Sequence, residues 1–318
     1  MAFRTLVACL GYLCCSIPAP AADVVDGVGD KPQMVAIESS HGVTILEGIR
    51  PVLTYQRATL SRAGKWPRAN YVHPLYNLDG EIISEDFPVD HGHHRGIFWA
   101  WHQVLVGDQH LGDAWACVDF QWDVQEVTVS TTADQARLAA TTLWKSPALT
   151  GPDGEPLACV QEQATIVVHR AEDHIRWIDF DIKLLALLEQ VRIGGSDDDK
   201  GYGGFAPRVK LTDDVQFIGR AGRIEPQVEA VAAGPWVDMA SPQWGLLMLT
   251  HSANPGFPQP WILRRSRSMQ NPVYPGRQPI ELSRTEPLRL RYRLGIHRGE
   301  LQPAEIDAYQ QSYQRAPQ

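Results

Sequence analysis

Apolar and polar residues alternate with a period of two along much of this chain. In Leu288-Arg-Leu-Arg-Tyr-Arg-Leu-Gly-Ile296 every even position is apolar, and Arg289, Arg291 and Arg293 share the other face. Successive side chains of a strand point to opposite faces, so the pattern predicts a strand with one buried face; no helix fits it. The continuous apolar run from Trp244 to Leu249 predicts a strand covered on both faces. Val127–Thr131, Ala136–Leu143, Ala164–Val168 and Ile175–Ile182 read as further strands, with tight turns at Asp79-Gly80 and Asp153-Gly154. The best helix candidate is Ala304–Arg315, which opens after Pro303 with Glu305 and Asp307 in its first turn. Leu184–Gln190 fits either a helical turn or a strand end. With 23 prolines and 26 glycines spread throughout and no internal repeat, the pattern predicts many short strands joined by long loops. The expected fold class is all-β: one large antiparallel β-sandwich over residues 23–318, with few short helices.

Residues 1–22 have the pattern of a signal peptide. Arg4 precedes an apolar run from Leu6 to Ile17, and Ala19-Pro-Ala-Ala22 supplies small residues for cleavage. The run is shorter than the roughly 20 apolar residues that an ordinary membrane-spanning helix needs. The expectation is therefore a periplasmic or secreted chain with no membrane association after cleavage. Cys9, Cys14 and Cys15 leave with this segment, and Cys117 and Cys159 remain either to pair or to stay as buried thiols. A net charge of −8 argues against nucleic-acid partners and anionic membrane surfaces.

Four clusters carry the candidate chemistry. The densest is Asp90-His-Gly-His-His-Arg-Gly-Ile-Phe-Trp-Ala-Trp-His102, which holds four histidines (His91, His93, His94, His102), Asp90, Arg95 and Trp99 in thirteen positions. Histidine exchanges protons near neutral pH, with an unperturbed pKa of about 6.5. The second cluster, Tyr71-Val-His-Pro-Leu-Tyr76, sets His73 between aromatics. The third, Asp197 to Arg208, is a glycine-rich loop with Lys200 at its head and Arg208 at its exit. The fourth contains His251, Asn254, Trp261 and Arg264. Each also has a structural interpretation. Arg95 can pair with Asp90 or Asp86, the tryptophans can fill a core, and Asp197-Asp-Asp199 can form a solvated acidic turn, since a calcium loop would need an oxygen ligand at Gly201. His91 and His93 have a spacing that suits a metal, with His73 or His251 as a third ligand.

The runs HPLYNLDG, DHGHHRGIFWAWHQV, DKGYGGFAPRV and WVDMASPQWGLLMLTHSANPGFPQPWILR together resemble an uncharacterised bacterial family labelled "methane oxygenase PmoA". In its members the second block reads like DHPHHRGLWF, the third like KEGGFGIR, and the fourth ends in HPxNPRxPTxWHVR. The likeness spans roughly residues 35 to 297. A membrane monooxygenase subunit needs several spanning helices that this chain lacks, so the label is set aside. The resemblance implies a supersandwich of the galactose-mutarotase type with carbohydrate chemistry on a concave face. Two departures stand out: the acidic residue that follows the family's lysine is missing after Lys200, and Arg264-Arg-Ser-Arg267 replaces an Arg-x-Tyr-Gly pattern.

Together these features lead to an expected exported carbohydrate-active protein that runs acid/base chemistry on a sugar or oxidised sugar, as an epimerase, lyase or glycoside-cleaving enzyme. His93 or His94 is the expected proton carrier, oriented by Asp90. Lys200, Arg208 and Arg95 are expected to stabilise negative charge. His73, His91, His102, His251, Asn254 and Arg264 are expected to contact substrate, and Trp99 or Trp261 to stack on its ring. No cofactor is expected. The alternatives are a metal-dependent hydrolase or lyase built on His91 and His93, and a non-catalytic carbohydrate-binding protein.

Overall fold

The long strands form where the alternation is strictest. Gln135–Thr150 buries every second residue from Ala136 to Ser146, and Ile175–Ala186 does the same through Ile178, Phe180, Ile182 and Leu184. The computed structural model describes residues 32–266 and 269–315. The proposed signal peptide at 1–22, with Cys9, Cys14 and Cys15, lies outside the described residues, as does Arg267.

Two large antiparallel sheets make the sandwich. A six-stranded sheet runs in the order Met34–Glu38, Gly42–Glu47, Arg50–Gln56, Tyr71–Leu75, Ile97–Trp101, Gly203–Pro207. A nine-stranded sheet runs Gln121–Thr131, Gln135–Thr150, Pro156–His169, Ile175–Ala186, Leu288–His297, Gly245–Thr250, Trp236–Ala240, Gln216–Gly219, Gly222–Ile224. The fold is thus all-β. Among the described residues one α-helix occurs, Pro303–Arg315, and no helix is long and apolar enough to cross a membrane.

The apolar run near residue 245 is buried on both sides for a visible reason. Leu246 and Met248 join the inter-sheet core, while Leu247 and Leu249 pack with Trp236 under Ile306 and Tyr313 of the helix. Leu288–His297 keeps its arginine face polar by cross-strand pairing. Arg293 donates to both Asp179 oxygens (2.5 and 2.8 Å), and Arg289 donates to both Asp181 oxygens (2.9 and 2.6 Å). Leu184–Ala186 is the end of a strand, and a turn follows it. Cys117 and Cys159 are free, buried thiols.

Candidate active site

Strand alternation sorts the residues of Ile97–Trp101 to two faces. Trp99 and Trp101 point into the sandwich, where Trp99 meets Phe180 and Trp101 meets Trp144 of the opposite sheet. Phe98 and His102 point the other way, onto Trp115. The neighbouring strand Gly203–Pro207 pairs Gly203 with Trp101 and Pro207 with Ile97. Its Phe205 shares the inward face with Phe180 and Tyr292. The flanking Tyr202 and Arg208 therefore belong to the outward side, beside His102 and the start of the histidine cluster.

His91 to His94 form a tight turn instead of continuing the strand. The His94 N–H donates to the His91 carbonyl at 2.9 Å. Gly92 lies against Trp66, where a Cβ would stand 2.3 Å from the indole, so only glycine fits. The turn bunches three imidazoles that a strand would have separated. His91 stacks on His94 at 4.8 Å with an 8° interplanar angle, and His93 meets both edge-on at 5.6 and 4.6 Å.

These rings open onto a cavity of about 380 Å³ lined by His91, His93, His94 and His102, with Trp115, Ser196, Asp198, Tyr202, Arg264 and Met269 completing the wall. Two of the four imidazoles are anchored by carboxylates. His91 Nδ1 lies 2.8 Å from Asp90 Oδ2, and His102 Nδ1 lies 2.8 Å from Asp113 Oδ2. Burial acts to raise the Asp90 pKa, but hydrogen bonds from His91 and Arg208 outweigh it and hold the carboxyl well below its usual range. At Asp113 burial likewise opposes, and the His102 hydrogen bond and charge prevail, again lowering the pKa.

The other two imidazoles are neutral at pH 7. Burial pushes His93 down to about 4 and His94 down to about 2, helped by neighbouring imidazoles and, for His94, by Arg208. Arg208 is 3% exposed and fully engaged. It donates to Glu85 at 2.7 Å, to the two Asp90 oxygens at 2.9 and 3.3 Å, and to His94 Nδ1 at 3.1 Å. A guanidinium can only donate, so His94 Nδ1 must accept and the ring carries its hydrogen on Nε2. Across the cavity, Asp198 is held by Ser196 Oγ at 2.7 Å and Lys200 Nζ at 3.2 Å; burial is outweighed there too, and its pKa falls to about 2. Arg264 donates to the Tyr202 hydroxyl at 2.7 Å.

The structure revises several sequence-based assignments. Asp90 orients His91, not His93 or His94, because the turn brings the His91 ring onto its carboxylate. Arg95 is not at the cavity: it is wholly buried, bonded to Asp86 and to the carbonyls of Leu60 and Trp66 at 3.1 and 2.7 Å. Arg208 is a support for Asp90 and His94, its charge already matched by two carboxylates. Lys200 stands behind the wall on Asp198 and does not line the cavity. Trp99 cannot stack on a ligand, since it is 1% exposed and donates to Glu162 at 2.6 Å in the core. Trp261, at 0% exposure, donates to the Gly234 carbonyl. His73 bonds Ser84 at 2.9 Å, away from the cavity. His251 packs on Tyr313 of the helix, and Asn254 bridges the N–H and carbonyl of Arg291 at 2.8 Å each. The third metal ligand expected from His73 or His251 is therefore not supplied. Among the described residues no three His, Cys, Asp or Glu side chains are grouped to hold a metal ion.

Sequence reasoning missed Asp198 and Tyr202 as parts of the wall and Asp113 as the carboxylate behind His102; Trp115 is a core residue, 2% exposed, whose edge also reaches the cavity. Asp113 follows His102 by eleven positions, and the antiparallel hairpin of Gln103–Val106 with Gln109–Gly112 brings it back. Asp197 and Asp199 do behave as a solvated acidic turn, facing Arg277 at 2.8 and 3.5 Å, while Asp198 between them turns inward.

The chain belongs to a family of unknown function, DUF6807, whose model matches residues 42–311. No curated protein matches it. Among solved structures it is similar to a candidate mutarotase (YeaD) from Salmonella typhimurium, with 8% identity and a TM-score of 0.41 over 84% of this chain and 94% of that one.

Proposed function

We propose that the histidine cavity is an acid/base site for a carbohydrate or carbohydrate derivative, and that the chain works after export from the cytoplasm. The observation that carries this reading is the pair of carboxylate-anchored imidazoles, His91 on Asp90 and His102 on Asp113, that face one cavity. A carboxylate on Nδ1 fixes the tautomer that leaves Nε2 toward the ligand and stabilises the imidazolium when that nitrogen takes a proton. Two such groups allow one to remove a proton while the other returns one, as epimerisation, elimination and glycoside cleavage all require.

The rest of the wall suits a small polyhydroxylated molecule. A volume of about 380 Å³ falls at the lower end of the range for small-ligand sites. Its lining offers both donors and acceptors, with the Ser196 hydroxyl able to do either, the Asp198 carboxylate accepting and the His94 Nε2–H donating, and with Tyr202 as the partly exposed aromatic face. The test is single replacement of His91 and His102 by alanine, assayed on sugars selected by thermal shift. Turnover should fall at least 100-fold in each variant while the fold is retained, since general acid/base groups contribute on the order of 10²–10⁴. Binding with no product from the wild type would instead make this a carbohydrate-binding protein. Full turnover in both variants would overturn the assignment.

A further inference from the structure

Within the cavity His94 is set apart by what its ring can no longer do. Nδ1 is occupied by the Arg208 N–H at 3.1 Å, and Arg208 is itself clamped by Glu85 and Asp90. The ring is held flat against His91 at 4.8 Å, edge-on to His93 at 4.6 Å and to Trp115 at 6.3 Å, and over Phe98 at 6.1 Å. Of its two nitrogens only Nε2 is left for the cavity, and it carries a hydrogen. Next to a guanidinium and two imidazoles, with Glu85 and Asp90 both engaged by Arg208, this ring is a poor place to add a second proton. It can donate a hydrogen bond; it cannot serve as a base through Nδ1.

We propose that His94 is a neutral electrophile that polarises a substrate carbonyl, and therefore that the substrate class is a sugar bearing a carbonyl (a keto group, an open-chain aldehyde or a lactone), with the proton moved lying on the adjacent carbon. This deepens the acid/base reading above and rests on it. The step balances without a co-reactant. His91 Nε2 takes the proton from the carbon next to the carbonyl. The C–H electron pair forms a C=C bond, and the carbonyl π pair moves to oxygen as an enolate. The His94 Nε2–H donates a hydrogen bond to that oxygen without giving up its proton. A protonated His102 then returns a proton to carbon or to a departing β-oxygen. A neutral imidazole is a suitable donor here because its N–H is closer in acidity to an enol than an imidazolium N–H is, and it stays a donor throughout.

Two measurements test the inference. The first uses the free wild-type protein, ¹⁵N-labelled at histidine, and reads the ring nitrogens by NMR. His94 should show the Nε2–H tautomer and remain unprotonated from pH 5 to pH 9; an Nδ1–H tautomer or titration within that range would overturn the electrophile assignment. The second follows C–H to C–D exchange in D₂O for D-fructose, D-glucose and D-glucono-1,5-lactone, with methyl glucosides as carbonyl-free controls. Exchange next to the carbonyl is expected in at least one of the first three and in neither control. His94→Phe, which keeps a flat ring, should slow that exchange by 10²–10³-fold with KM changed much less, the loss typical of one oxyanion donor. His94→Gln, which can place an N–H near the same position, should restore part of it. Exchange lost in His91→Ala and His102→Ala but unchanged in His94→Phe would overturn this inference and leave the acid/base site standing. Turnover of methyl glucosides, or no exchange from any carbonyl sugar, would overturn the substrate class. Exchange that survives loss of His91 and of His102 would remove the underlying reading as well.

Discussion

Replacing Glu162 by glutamine should flatten the pH dependence of stability between about pH 4.5 and 7. Glu162 is wholly buried between the sheets. It accepts hydrogen bonds from Asn70 Nδ2 (2.7 Å) and Trp99 Nε1 (2.6 Å) on one oxygen and from Trp144 Nε1 (2.8 Å) on the other. Burial dominates these donors and the Arg68 charge, and pushes the carboxyl from its ordinary 4.5 up to about 7. Between those two values the folded protein therefore binds a proton that the unfolded chain has released. Stability from this group is complete below pH 4.5 and is lost as the pH rises through 7. At about 1.4 kcal/mol per pKa unit, the loss is about 3 kcal/mol. The glutamine variant has no such proton to lose. Its amide nitrogen, however, faces the Trp144 N–H, donor against donor, at a cost of about 1–3 kcal/mol at every pH. The assay is urea unfolding followed by tryptophan fluorescence at pH 5, 6.5 and 8. The variant should be less stable than wild type by about 1–3 kcal/mol at pH 5, and by pH 8 the difference should shift by about 2.5 kcal/mol in the variant's favour, so that it matches or exceeds wild type. Comparing the two proteins cancels histidine titration, which is common to both. A gap that stays constant across that range would refute the reasoning.

Three further outcomes follow from the same geometry. His94→Phe should reduce acid lability: a buried imidazole with its pKa pushed down to about 2 contributes stability above pH 6.5 that is lost as pH falls. Between pH 6.5 and 4 the variant should lose about 3 kcal/mol less than wild type in urea titrations, and parallel losses would contradict the burial argument. Asp90→Asn should destabilise the fold by only about 1–2 kcal/mol, because Arg208 keeps Glu85, while cutting any turnover about 100-fold or more; an unaltered rate would mean that His91 does not need its carboxylate. Gly245→Ala should lower stability by about 1–3 kcal/mol. The new Cβ would stand 2.2 Å from the His297 ring, which cannot retreat while it is bonded to Asp238 and to the Gly299 carbonyl, both at 3.0 Å. An unchanged thermal midpoint would count against that packing.

The fold was largely legible because strand alternation is a local property. The arginine-faced strand at 288–297, the doubly buried run at 245–250 and the C-terminal helix all emerge where the sequence period places them. The site was legible only in part. The histidine stretch identified the region, but its internal geometry depends on a turn that Gly92 permits by lying on Trp66, 26 positions earlier in the chain (92 − 66) and outside any local signal. Alternation alone would have placed His93 and His94 on opposite faces. Asp198 and Tyr202 were missed because their role comes from a loop that enters the strand paired with Ile97–Trp101, and Asp113 because the hairpin that returns it to His102 was not recognised; pairing partners cannot be read from one sequence. Arg95, Trp99, Trp261, His251 and Asn254 carry the right chemistry for a site. They spend it on packing and on internal hydrogen bonds, which composition alone does not distinguish from ligand contacts.

The central claim is that a sugar binds where the four imidazoles of His91, His93, His94 and His102 meet. It is tested most directly by histidine side-chain NMR during titration with a sugar that stabilises the protein. The account predicts that the ring signals of those four residues shift together and saturate with one binding constant, while His41, His169 and His174 stay in place. Saturable binding that leaves those four resonances unmoved would contradict it.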